Sequence, residues 1–150
     1  MVSQTTENKR KESKQEVQTY LDRLKYAIQS NTAKLTFQKY RNIDNNRNSR
    51  YTNRYTMGHL FSDEDDVEVL KREMSLLTVG EYIETVKDTR FPKRSEIRVF
   101  GKQYSGDDIY IKIRVELVSS HAGGDSFVMV MSFHYSEWVF KESDFPCKKV

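Results

Sequence analysis

The side chains best equipped for chemistry in this sequence are His134, Tyr110, Lys112 and Arg114. An imidazole titrates near neutrality and serves as general acid or general base. A phenol donates a hydrogen bond to a phosphate oxygen or to the histidine. An amine and a guanidinium stabilise extra negative charge in a transition state. Together these groups suit cleavage of RNA by its own 2′-hydroxyl. A base takes the 2′ proton, the oxygen attacks the adjacent phosphate, cations hold the pentacoordinate charge, and an acid protonates the leaving 5′ oxygen. That reaction needs no metal and no cofactor. Other chemistry is poorly provided for. His59, His121 and His134 lie far apart without ligand spacing, and there is no CxxC, HExxH, Walker loop or Gly-x-Ser-x-Gly. Cys147, beside the terminal tail, is a poor nucleophile. The plainer alternative for all four residues is the wet side of an ordinary sheet, with His134 half-buried and hydrogen-bonded.

Two strands must bring these residues together. In residues 109–117, Ile109, Ile111, Ile113, Val115 and Leu117 point one way and Tyr110, Lys112, Arg114 and Glu116 the other. A period of two marks a strand with one dry face and one wet face. Residues 127–135 are apolar on both faces until Ser132 and His134, which reads as a central strand. SSHAGGD between them is a glycine-containing hairpin loop. Pairing Val118 with Ser126 sets Glu116 opposite Val128, Arg114 opposite Val130, Lys112 opposite Ser132 and Tyr110 opposite His134. Directly opposed residues share a face, so the four chemical groups gather in one patch. A one-residue slip would bury the polar side.

Earlier elements support this hairpin. Residues 1–12 read as a disordered basic tail, and 13–150 as one domain. Ser13 and Glu16 have capping-box spacing, and Val17, Tyr20, Leu21, Leu24, Ala27 and Ile28 follow at helical spacing, predicting a helix over about 14–29. Residues 34–41 alternate weakly, as a short strand would. Residues 42–58, rich in Asn, Arg and Tyr, read as a long loop. Ser62 opens a second helix; the acids at 63–66 are better read as its N-terminus than as a metal site. Thr78 and Glu81 predict a short helix to about Val86. Residues 97–104 are the first strand of the meander, with Gly101 at a bulge or bend. Trp138 and Phe140 pack back on the domain. The expected fold class is α+β, with N-terminal helices on an antiparallel sheet of three or four strands.

The chain has 150 residues and a net charge of +3, unevenly spread. Residues 1–61 carry 12 lysines and arginines against 5 acids, and residues 62–150 carry 13 against 17. Between Lys34 and Tyr55, six basic residues interleave with Phe37, Tyr40, Tyr51 and Tyr55. Cations beside rings are what single-stranded nucleic acid requires, although a polar loop with incidental tyrosines has the same composition. A second cationic patch spans 87–102. From it, Lys87, Arg90, Lys93, Arg94 and Lys102 are candidates to position RNA. No apolar run approaches a membrane span, no signal peptide is present, and the single cysteine forms no internal disulfide, so the expected location is cytoplasmic.

Three runs carry a family resemblance: LTVGEY at 77–82, RVFGKQYSGDDIYIKIRVEL at 98–117 and VMSFHYSEW at 130–138. They resemble MqsR-type toxins, the RNA-cleaving halves of bacterial toxin–antitoxin pairs, over roughly residues 14–140. The resemblance implies a RelE-like α+β fold, metal-free cleavage of single-stranded mRNA, and neutralisation by a cognate antitoxin. The family's tyrosine falls on Tyr110, its lysine two on falls on Lys112, and its basic residue after Ser-Phe falls on His134. Its catalytic lysine falls near Glu84, with Lys87 the nearest substitute. Its glutamine falls near Phe100, with Lys102 and Gln103 close by. A non-catalytic module of the same fold, binding RNA or a protein, is the alternative.

Overall fold

The computed structural model describes residues 7–116 and 126–148. It is α+β, with three helices and one six-stranded mixed sheet: β1 (Glu7–Arg10), β2 (Lys34–Phe37), β3 (Tyr82–Asp88), β4 (Ile97–Tyr104), β5 (Asp107–Glu116) and β6 (Phe127–Tyr135), in spatial order β1-β3-β4-β5-β6-β2. The sheet is thus larger than the three or four antiparallel strands expected. Both extra strands are edge strands of four residues. β1 pairs antiparallel with β3, placing residues 7–10 in the sheet rather than in a tail. Its side chains are polar, yet an edge strand needs only main-chain bonds and anchors. Arg10 forms a two-pronged bond to Glu96, and Lys9 lies 3.6 Å from Glu84. β2 runs parallel to β6, with Leu35 buried opposite Val128.

The helices are α1 (Lys14–Gln29), α2 (Asn53–Leu60) and α3 (Asp66–Ser75). Both reciprocal bonds of the Ser13–Glu16 capping box start α1. Its Val17, Leu21, Leu24 and Ile28 pack into one core with Ile109, Ile111 and Ile113 of β5 and Val128 and Val130 of β6. Burying apolar surface drives that contact. α3 is capped by Asp65, whose side chain accepts from the Glu68 N–H, so the helix starts later than Ser62. The Thr78–Glu81 box forms as expected, but it caps a single 3-10 turn and leads into β3, not a helix. The reason is the run Ile83, Thr85, Val86, whose β-branched side chains suit a pleated sheet.

The region 42–58 is more ordered than a loop. Two 3-10 turns, Asn42–Asn46 and Ser49–Tyr51, lead to Thr52, which caps α2. α2 then completes an unfinished edge. β2 ends at Phe37, leaving β6 beyond Val130 without a partner strand on that side. The buried Asn53 side chain donates to the carbonyls of Met131 and Gln38 and accepts from the Phe133 N–H; Thr56 accepts from the Tyr135 N–H. Two side chains of a helix thus replace a strand.

Among the described residues, the other sheet face carries no helix. Ile83, Val86, Ile97 and Val99 form a smaller core there, covered by Phe140 and Phe145 of the C-terminal segment. Gly101 is no bulge. It makes room for Phe140: an added Cβ would stand 2.6 Å from that ring. Beyond this cover the face is open.

Candidate active site

An open cleft of ≈ 770 Å³ occupies the uncovered part of that face. Tyr110 and Lys112 of β5 and Met131, Ser132 and His134 of β6 form its floor. Gln38, Tyr40, Arg41, Asn42, Ile43 and Arg47 wall one side; Arg90, Glu137 and Trp138 complete the rim. The register places Tyr110 opposite His134 and Lys112 opposite Ser132, as the alternation predicts. The ladder then shifts. Val130, not Met131, faces Ile113, so Met131 is an extra, unpaired residue. Such a bulge re-aims the strand beyond it. Here it sets Arg114 opposite Met129 and Glu116 opposite Phe127, correcting the expected pairs. The Val118–Ser126 pair lies outside the described residues.

His134 is buried at 6% exposure. Its ring stacks on Tyr110, with centroids 5.5 Å apart and planes inclined by 29°. Trp138 meets the Tyr110 ring edge-on at 5.4 Å. The His134 Nδ1 lies 2.9 Å from the Tyr135 carbonyl. A carbonyl only accepts, so Nδ1 carries the hydrogen and Nε2 keeps its lone pair. Burial is the main force holding the imidazole well below its ordinary value, at about 4; the Tyr135 bond works the other way, and Arg41 and Arg47 lower it further. The ring is therefore neutral at pH 7, with Nε2 as a base.

The bulge also recruits a cation that no periodicity signals. The Met131 carbonyl, released from the ladder, accepts from Arg41 Nη1 at 2.8 Å, and Ser132 Oγ lies 3.1 Å from the same nitrogen. Behind Arg41 sits Asp44, a fully buried carboxylate. Arg41, Arg47 and Arg54 approach it to 3.7, 4.0 and 3.7 Å. One anion thus gathers three guanidiniums, two of them, Arg41 and Arg47, at the cleft wall. Arg47 also lies 3.5 Å from Glu137. Burial raises the Tyr110 hydroxyl to about 12, helped by Glu84 and Glu7, so it stays a proton donor. Burial lowers Lys112 below the usual lysine value, while Glu7, 3.8 Å away, partly restores it.

The remaining candidates are dispersed. Arg114 shares the face but lines a separate pocket with Arg94, Glu116, Phe127 and Met129. Lys87 Nζ donates to the carbonyls of Pro92 and Arg94, both at 2.7 Å, and so holds the β3–β4 turn. Arg90 reaches the cleft rim, braced by two bonds to Asp88. Lys93 is exposed. Arg94 stacks on Phe91, and Lys102 lies over the Tyr104 ring away from the cleft. Glu84 pairs with Lys9 and Lys11. Arg41 and Arg47 are cleft residues that alternation does not reveal; the arginine-rich composition of 41–54 is their signal, and Trp138, expected to pack back on the domain, joins them at the rim. Among the described residues, no three His, Cys, Asp or Glu side chains form a group fit for a metal ion. No described helix is long and apolar enough to cross a membrane.

The neutral His134 has a measurable consequence. Its folded value lies below the unfolded value of about 6.5, so the unfolded chain binds the extra proton between these limits. Stability is full above about pH 6.5 and falls as pH drops toward about 4, by about 3 kcal/mol in all. Urea unfolding at pH 7 and pH 5 is expected to show about 2 kcal/mol of this loss in the native chain and a smaller one in His134→Gln. Equal losses in both would reject a neutral, buried ring.

Set against protein-family models, curated proteins and solved structures, the chain finds no match in any of the three.

Proposed function

We propose that this protein is a metal-independent endoribonuclease that cleaves single-stranded mRNA by 2′-hydroxyl attack. The observation that carries the reading is the free Nε2 of a neutral His134 on the floor of a cleft lined by Arg41, Arg47, Arg90 and Lys112. His134 Nε2 takes the 2′ proton, and the 2′ oxygen attacks phosphorus. Arg41 and the Tyr110 hydroxyl stabilise the non-bridging oxygens as charge accumulates, an electrostatic effect strengthened by burial. Lys112 gives its proton to the departing 5′ oxygen, for which its lowered proton affinity is suited. It lies diagonally across the ladder from His134, roughly 7–8 Å in ordinary sheet geometry. Base and acid can therefore flank one phosphate. The products are a 2′,3′-cyclic phosphate and a free 5′-hydroxyl.

The likeness to MqsR-type toxins supports this reading. It adds a cytoplasmic location, a RelE-like relationship and a cognate antitoxin that silences the nuclease.

Purified protein incubated with a long single-stranded RNA in EDTA is expected to give discrete cuts ending in cyclic phosphate. A second reading is a non-catalytic RNA-binding module. It is favoured by the weak basicity of an imidazole at about 4 and by the contact of Glu7 with Lys112. RNA retained without cuts, with retention falling steeply as salt rises, would put that reading first.

A further inference from the structure

Outside the cleft, α2 carries a second group of rings that the proposed reaction does not use. Tyr55 and His59 lie one helical turn apart and stack, with centroids 5.7 Å apart and planes inclined by 17°. Both are exposed. Tyr135 backs them, its ring tilted against each and its hydroxyl bonded to His59 Nδ1. The Arg50 guanidinium lies over the Tyr135 ring at 4.3 Å. Tyr135 follows His134 in β6, so the two side chains leave opposite faces of the sheet. Two imidazole–phenol pairs therefore stand back to back at one strand end. The segment 47–54 connects them. Arg47 lines the cleft, Arg54 is part-exposed beside Asp44, and Arg50 reaches the Tyr135 ring.

We propose that Tyr55 and His59 form a stacking platform for bases of the RNA strand beyond the scissile step, reached along Arg47, Arg54 and Arg50. The proposal rests on reading the cleft as an RNA site. Every base has a π-face, so exposed rings beside cations hold single strands without sequence preference. The flanking guanidiniums favour a polyanion over an apolar protein surface as the occupant. The platform gives RNA a second hold some distance from the chemistry, and so a preference for long strands.

The test uses two uncleavable 2′-O-methyl RNAs, of about four and about twelve nucleotides, in fluorescence anisotropy. The paired change Tyr55→Ala with His59→Ala is expected to weaken the longer RNA about 10-fold and leave the shorter one within about 2-fold. Tyr55→Phe keeps the ring and is expected to bind both RNAs like the native chain; it covers the case in which the alanine pair fails to fold. Native affinity of the alanine pair for the longer RNA would overturn the platform and assign the rings to a protein partner. A native chain that binds neither RNA would overturn the RNA reading of the cleft as well, which separates the two failures.

Discussion

Alanine at His134 is expected to lower RNA cleavage by about 100-fold or more, the ordinary size of a general acid–base contribution. The Tyr135 carbonyl fixes the Nδ1 hydrogen, so Nε2 is the only basic atom of that ring, and among the described residues no other histidine lines the cleft. Single-turnover rates at saturating RNA isolate the chemical step from binding. Binding is expected to change little, because Arg41, Arg47 and Lys112 remain. The pH profile sharpens the assignment. A base held at about 4 keeps its lone pair across the neutral range, so the native rate loses this contribution only as pH falls through about 4. His134→Ala is expected to lack that limb. A native rate in the alanine variant would reject the base, and a loss confined to affinity would make His134 a binding residue.

The second large effect falls on stability. Asn53→Leu is expected to cost about 3 kcal/mol and to lower Tm by roughly 6–12 °C. Leucine fits the space but makes none of the three bonds, leaving the buried Phe133 N–H without an acceptor. The Met131 carbonyl keeps Arg41, while the Gln38 carbonyl loses the Asn53 donor. The damage also reaches the cleft, because Met131 and Ser132 lie on its floor. Urea unfolding measures the cost; a loss under about 1 kcal/mol would show that water or the backbone replaces the amide.

Much of the central hairpin is legible in the sequence. Ile109, Ile111 and Ile113 alternate so strictly that only one face can be dry, which is enough to set Tyr110 beside His134. The helical stripe of α1 is equally plain, and so is its cap. What cannot be read depends on distant partners. A bulge has no composition of its own: Met131 differs from its neighbours only in having no residue opposite, and that sets Arg114 opposite Met129 instead of Val130. Asp44 looks like one acid in a polar loop until three arginines close around it. β1 has no apolar residue and becomes a strand only because β3 offers an unpaired edge. Asn53 and Thr56 read as loop residues because their work is done on a strand 78 and 79 residues away.

The parallel pairing of β2 with β6 has a consequence in time. Residues 34–37 wait for residues 127–130, and residues 7–10 wait for 85–88. Loops of this length must close before their contacts repay the lost entropy, which makes such topologies slow to fold. On a ribosome the chain emerges N-terminus first, so β2 leaves the exit tunnel long before β6, its neighbour in the sheet. The cleft takes its walls from residues 38–47 and its floor from β5 and β6. A nascent chain therefore holds Arg41 and Arg47 before Lys112 and His134 exist, and the cleft is complete only once β6 has been made. On the proposed reading of the cleft, the order of the strands keeps the nascent chain from cutting RNA until β6 has been made.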